Sequence, residues 1–162
     1  MSERELFSGH ALNSIDAKGR LAIPASFRKV IERNSNAAHL VIGRHEADNC
    51  LTGYDRGWSA LLQARIERDE ARAQDSGQAF DRHNINRRAF GLVEDIGFDA
   101  SGRFILPAFF RAKAQLTDWV LFLGVGQVFE LWNPLVCLAA DHIDADTKDL
   151  VRFLLDERGV KA

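Results

Sequence analysis

Cysteine is nearly missing from this chain: Cys50 and Cys137 are its only two among 162 residues. Two thiols in unrelated contexts make neither a disulfide framework nor a zinc site. They read as small buried hydrophobes in a reducing cytoplasm. Long apolar runs are missing too. None approaches the roughly 20 residues that cross a bilayer, so no membrane-embedded segment is expected. The opening "MSERELFSGH" carries acidic residues and no continuous apolar stretch, so it is not read as a secretory signal. Neither sign of charge dominates. A net charge of −2 gives no global attraction to nucleic acid, although binding depends on local rather than summed charge. There is no H-E-x-x-H, no phosphate loop, and no Ser/His/Asp or Cys/His set. "GVG" at 124–126 lacks the rest of a dinucleotide fingerprint and suits a hairpin turn. An enzyme is therefore not expected, nor a cofactor or a small-molecule substrate.

What the chain does have is a phrase written twice. "SIDAKGRLAIPASFRK" at 14–29 and "GFDASGRFILPAFFRA" at 97–112 share one skeleton, every match falling 83 positions on. Asp16 and Asp99, Gly19 and Gly102, Arg20 and Arg103, Pro24 and Pro107, and Arg28 and Arg111 are the pairs. With 46% apolar and 27% charged residues the composition is that of a soluble globular domain, and the length suits one domain.

Each copy has the same local grammar. A short alternating strand leads into D-A-K-G-R or D-A-S-G-R. Asp16 and Asp99 can accept from nearby backbone N–H groups, and Gly19 and Gly102 can take positive φ, which together imply a tight bulged hairpin. A second short strand follows ("LAI", "FIL"). Pro24 and Pro107 are expected at the first position of a helix. Two more strands complete each copy: "HLVIG" and "CLTGY", then "WVLFLG" and "VFELW". Asp55 and Asn133 follow as expected N-caps. Helices are expected over about 58–73, 82–90, 107–115, 135–140 and 148–157. "AQDSGQ" is the one polar break. Residues 7–55 and 92–133 form the two half-units, 56–91 a helical connector and 134–162 a helical tail. Each half has too few strands to close a core alone. The two should fold into one another as a single pseudo-twofold β-unit.

D-A-K-G-R-L-A-I-P and D-A-S-G-R-F-I-L-P together resemble the MraZ family. These are bacterial transcriptional regulators with two tandem SpoVT/AbrB-type halves, associated with the division and cell-wall gene cluster. The resemblance covers about residues 7–157. It implies an α+β, swapped-hairpin β-barrel with peripheral helices. It also implies binding to double-stranded promoter DNA carrying short G-rich direct repeats, a ring-shaped homo-oligomer, and a cytoplasmic, nucleoid-associated location. The family's DNA-contacting arginines carry over to Arg20 and Arg103, and its basic residue in the first turn to Lys18. The second turn departs from that pattern, with the neutral Ser101 at the matching position. The alternative is an oligomeric protein-binding scaffold without specific DNA recognition.

The chemistry of the residues agrees with that assignment. A guanidinium fork matches O6 and N7 of guanine, and a two-stranded ribbon fits the major groove. In a blander reading each arginine only pairs with its own aspartate and braces the turn. Asp16 and Asp99 are read as turn-bracing groups rather than base contacts. Arg28, Lys29 and Arg111 are placed on exposed helical faces, as solvated residues or as phosphate contacts at the site's edge. Arg4, Arg87 and Arg88 are weaker candidates. His45, Glu46 and Asp48 read as a solvated loop, within an insertion that the second half lacks. His142, Asp144, Asp146 and Asp149 match no calcium loop, and Asp144 or Asp146 is expected to cap the last helix.

Overall fold

The computed structural model describes residues 3–161. The first half runs β1 (His10–Ser14), β2 (Arg20–Ala22), α1 (Ala25–Ser35), β3 (His39–Arg44) and β4 (Leu51–Asp55). The second repeats it as β5 (Val93–Gly97), β6 (Arg103–Ile105), α4 (Ala108–Ala114), β7 (Trp119–Gly124) and β8 (Phe129–Trp132). Between them lie α2 (Arg56–Asp75) and α3 (Arg82–Asn86), and after them α5 (Pro134–Ala139) and α6 (Ala145–Glu157).

Strand pairing shows how the copies share one fold. The main sheet has the order β1-β7-β8-β4-β3-β5, all antiparallel, and β2 pairs only with β6 in a separate ribbon. This order is a palindrome under exchange of the halves. β1 leaves its own half to pair with β7, β5 leaves its half to pair with β3, and β4 meets β8 at the centre. The exchange is as expected. Closure is not: the six strands form an open sheet with β1 and β5 as its edges, so the fold is α+β without a closed barrel.

The same duplication is written into the core. Ile15, Leu21, Ile23, Phe27 and Ile31 are buried in one cluster with their repeat partners Phe98, Phe104, Leu106, Phe110 and Ala114. Phe7, Phe27, Phe122 and Phe129 pack with ring centroids 5.0–6.2 Å apart, in tilted and edge-on arrangements. Fully burying such a side chain stabilises by about 1.5–3 kcal/mol. Because the strand that covers each half's core comes from the other half, neither half could keep that burial alone.

Several boundaries differ from expectation for local reasons. Pro24 and Pro107 are N-caps, with ψ of 142° and 146°, one residue before the first helical position. A proline has no N–H to lose there, and its carbonyl still accepts the first helical bonds, from Phe27 and Arg28 and from Phe110 and Arg111. The expected helix over 82–90 splits into α3 and a π-helical turn, Arg87–Gly91. α6 starts at Ala145, earlier than 148, because Asp144 caps it by accepting from Thr147 N at 3.0 Å. Asp55 stands at the N-cap of α2 as expected, but its side chain makes no capping hydrogen bond. Its carboxylate is buried and accepts from Arg4 Nη1 and Nη2 at 2.9 and 2.8 Å, which ties the N-terminal segment to the end of β4.

Candidate nucleic-acid interface

The two repeated turns have the same hydrogen-bond design. Asp16 Oδ1 accepts from the backbone N–H of Lys18 and of Arg20 at 3.0 and 2.9 Å. Its Oδ2 accepts from Arg20 Nε. Asp99 repeats this with the backbone N–H of Ser101 and Arg103, each at 2.9 Å, and with Arg103 Nε at 2.9 Å. Gly19 and Gly102 close the turns at φ of 84° and 80°, which a side chain would strain. The N–H of Arg20 and Arg103 on the Asp oxygens holds both carboxyls below the ordinary carboxylate range. Both aspartates are thus spent on their turns.

Pairing at Nε leaves the outer edge of each guanidinium free. Arg20 Nη1 and Nη2, and those of Arg103, have no hydrogen-bond partner among the described residues, and the two side chains are 64% and 72% exposed. The bracing and presenting roles are therefore compatible. One edge of the guanidinium braces the turn while the other faces solvent.

The β2–β6 ribbon puts both arginines on one surface. Arg20 stands opposite Ile105 and Arg103 opposite Ala22, while Leu21 pairs with Phe104 between them. Because side chains alternate along a strand, Leu21 and Phe104 turn into the core, and Arg20, Ala22, Arg103 and Ile105 share the outer face. Ile105 is 61% exposed on that face, directly opposite Arg20. Sequence reading missed it, although its place beside Arg103 in an alternating strand was the available signal. Lys18 is exposed on the first turn, whereas Ser101 gives the second turn no cation.

Of the three basic residues expected on exposed helix faces, only Lys29 is there. Arg28 and Arg111 are half-buried and reach across the pseudo-twofold axis. Arg28 Nη1 donates to the carbonyl of Ala100, in the second half's turn. Arg111 Nη1 donates to the carbonyl of Ala17, in the first half's turn, at 2.8 Å. The Nε of each is buried without a partner.

Comparison with known proteins shows the family of the chain. The family described as "MraZ protein, putative antitoxin-like" matches residues 6–82 and 90–135. The chain belongs to the MraZ family. It is similar to a protein of Syntrophobacter fumaroxidans named "Transcriptional regulator MraZ", 36% identical over 87% of this chain and 88% of that protein. Proteins of the same name from Gluconobacter oxydans and Bordetella pertussis are 33% and 30% identical. They cover 80% and 93% of this chain, and 76% and 95% of their own lengths.

In this MraZ-family chain, two histidines hold a loop outside the repeated turns. The loop after β3 is tied down rather than solvated: His142 Nε2 lies 2.6 Å from Asp48 Oδ1, and His45 Nε2 lies 2.9 Å from Glu130 Oε2. His45, Cys50 and Glu130 have ligand atoms within 4.8 Å of one another, the one such group among the described residues. They do not fit a metal. The N–H groups of Ala47 and Asp48 donate to His45 Nδ1 at 3.1 and 2.9 Å, so the ring proton sits on Nε2 and is donated to Glu130. A metal at Nε2 would need that proton moved to Nδ1, against two donors. Burial also pushes the Cys50 thiol well above its ordinary range, and that of Cys137 up to about 11. A cavity of about 450 Å³ lies between the sheet and the connector helices, lined by Tyr54, Trp58, Ile66, Phe80, Arg88 and Val93 among others. None of the repeated-motif residues borders it.

Proposed function

We propose that this chain is a sequence-specific DNA-binding transcriptional regulator that reads short G-rich direct repeats in promoter DNA through Arg20 and Arg103. One observation carries the reading: two arginines, each fixed at Nε by its own aspartate, present free guanidinium edges from the same face of a two-stranded ribbon. A fork of that kind matches guanine O6 and N7, and a ribbon of that width enters the major groove. Two residues of ribbon separate the arginines, about 7 Å of rise, which is close to two base steps. Lys18, exposed on the first turn, and Lys29, exposed on α1, are the phosphate contacts of this reading. The names of the relatives support a regulator, and an acidic chain needs such a local basic face to approach DNA.

Two arginines make a weak reader. Each bidentate contact supplies roughly 1–3 kcal/mol of discrimination, whereas operator binding exceeds non-specific binding by roughly 4–10 kcal/mol. A ring of subunits on successive repeats closes that gap through effective concentration. Exposed Leu135 and Phe153 on the C-terminal helices offer apolar surface for such self-association. The proposal places the protein in the cytoplasm on the nucleoid, acting on the division and cell-wall gene cluster. The test is selection from a random duplex pool, followed by gel shift against the recovered sequences. Enrichment of G-rich direct repeats is expected. Recovery of no sequence above background would favour a protein-binding scaffold instead.

A further inference from the structure

Each DNA-facing turn is held by the half to which it does not belong. Arg28, from α1 of the first half, donates to Ala100 in the second turn, and its Cδ lies 2.6 Å from where a Cβ on Gly102 would stand. Arg111, from α4 of the second half, donates to Ala17 in the first turn at 2.8 Å. Its Nε and Cζ lie 2.9 and 3.1 Å from the corresponding position on Gly19. Backbone bonds cross in the same way: Ile23 N donates to Gly102 O at 2.9 Å and Leu106 N to Gly19 O at 2.8 Å. Two independent copies of one contact, related by the pseudo-twofold, make an accident of one side chain's placement a poor explanation.

The contact has a cost that packing alone does not explain. Both guanidinium groups are drawn in far enough that each Nε is buried and unpaired. A leucine or methionine at 28 and 111 would cover the same glycines without that orphan donor. What the arginine adds is a hydrogen bond to the carbonyl in the middle of the other half's turn, one position before Ser101 or Lys18. The glycine beneath supplies the flat surface on which the guanidinium stem rests.

We propose that Arg28 and Arg111 are positioning residues that each aim the reading arginine of the opposite half, Arg28 acting on Arg103 and Arg111 on Arg20. The proposal rests on the DNA reading given above. It differs from a phosphate-contact role in a specific way. A phosphate contact acts independently of which base arginine is present. A cross-half clamp acts only through the one arginine whose turn it holds.

Double-mutant cycles on the full-length protein separate the two, using a duplex that the wild-type protein selects from a random pool. Arg28→Ala should weaken binding by about tenfold, a share of what one bidentate contact supplies. Combined with Arg103→Ala it should add less than about threefold, while combined with Arg20→Ala its full effect should persist. Arg111→Ala should show the mirror pattern, and neither should change the salt dependence. Additivity of Arg28→Ala with both base arginines, or a salt slope shallower by about one charge, overturns the proposal. Hydrogen exchange without DNA gives a second readout. Arg28→Met keeps an apolar cover and should speed exchange at the Ser101 and Arg103 amides while leaving Lys18 and Arg20 unchanged. Equal protection at both turns contradicts the clamp. If Arg20→Ala and Arg103→Ala themselves leave binding intact, the reading has failed. The exchange pattern then decides alone whether the cross-half contact orders the turns.

Discussion

Asp16 and Asp99 do at each turn what a whole strand pair does elsewhere: they satisfy two backbone donors and fix one side chain. That work needs the ionised form. Both carboxyls are held below the usual 3.8 by those donors, so their ordering effect is complete above that value and is lost as pH falls through the lowered one. Carboxyl-resolved NMR should show both titrating below the usual 3.8, and the turns should stay ordered at pH 5. Lys18→Ala should weaken all DNA sequences alike and shallow the salt dependence by about one charge, since a lysine meets phosphate as a point charge. Ile105→Ala should cost little stability, because the side chain is exposed. Its effect on affinity should be concentrated at sites with thymine beside the read guanine, where a methyl group meets an apolar side chain. Competition with uracil-substituted duplexes checks this directly.

The turn-strand-helix unit was the most legible element. Its glycines, prolines and buried positions act locally, and the second copy confirmed each signal of the first. Contacts that depend on distant chain segments were not legible. Arg28 and Arg111 look like solvated helix residues from their neighbours in sequence. Their partners lie 72 and 94 residues away, and only exchange of the strands brings those within reach. Asp55 likewise looks like a helix cap because nothing nearby hints at Arg4, which is 51 residues distant. The closed barrel failed for a similar reason, since local pattern gives strands but not whether the outermost two meet. Gly19 and Gly102 carry a clear prediction at this scale. A Cβ at Gly19 would stand 2.6 Å from Leu106 O and one at Gly102 2.8 Å from Ile23 O, on top of the positive φ. Gly19→Val or Gly102→Val should cost at least about 2 kcal/mol in chemical denaturation, near the upper end for point substitutions. Gly77→Val also meets positive φ but open space, and should cost less.

On the scale of the whole molecule, the proposed reading requires a chain of net charge −2 to concentrate its DNA contacts on one small face and to repeat that face. The palindromic sheet supplies the first repetition inside the subunit, and on the proposed reading self-association would supply the second. Affinity should rise steeply from one DNA repeat to three, and half a helical turn inserted between repeats should undo much of the gain, because the arginines remain intact and only their spacing changes. The most direct test of the account is atomic. Replacing each guanine of a selected repeat in turn by 7-deazaguanine removes the N7 acceptor and leaves Watson–Crick pairing in place. At one guanine the substitution should weaken wild-type binding by about fivefold or more, and should have no further effect in Arg20→Ala. A second guanine, about two steps away, should behave the same way with Arg103→Ala. If no guanine is sensitive, or if the sensitive ones weaken the arginine variants as much as the wild type, then these arginines do not read the DNA.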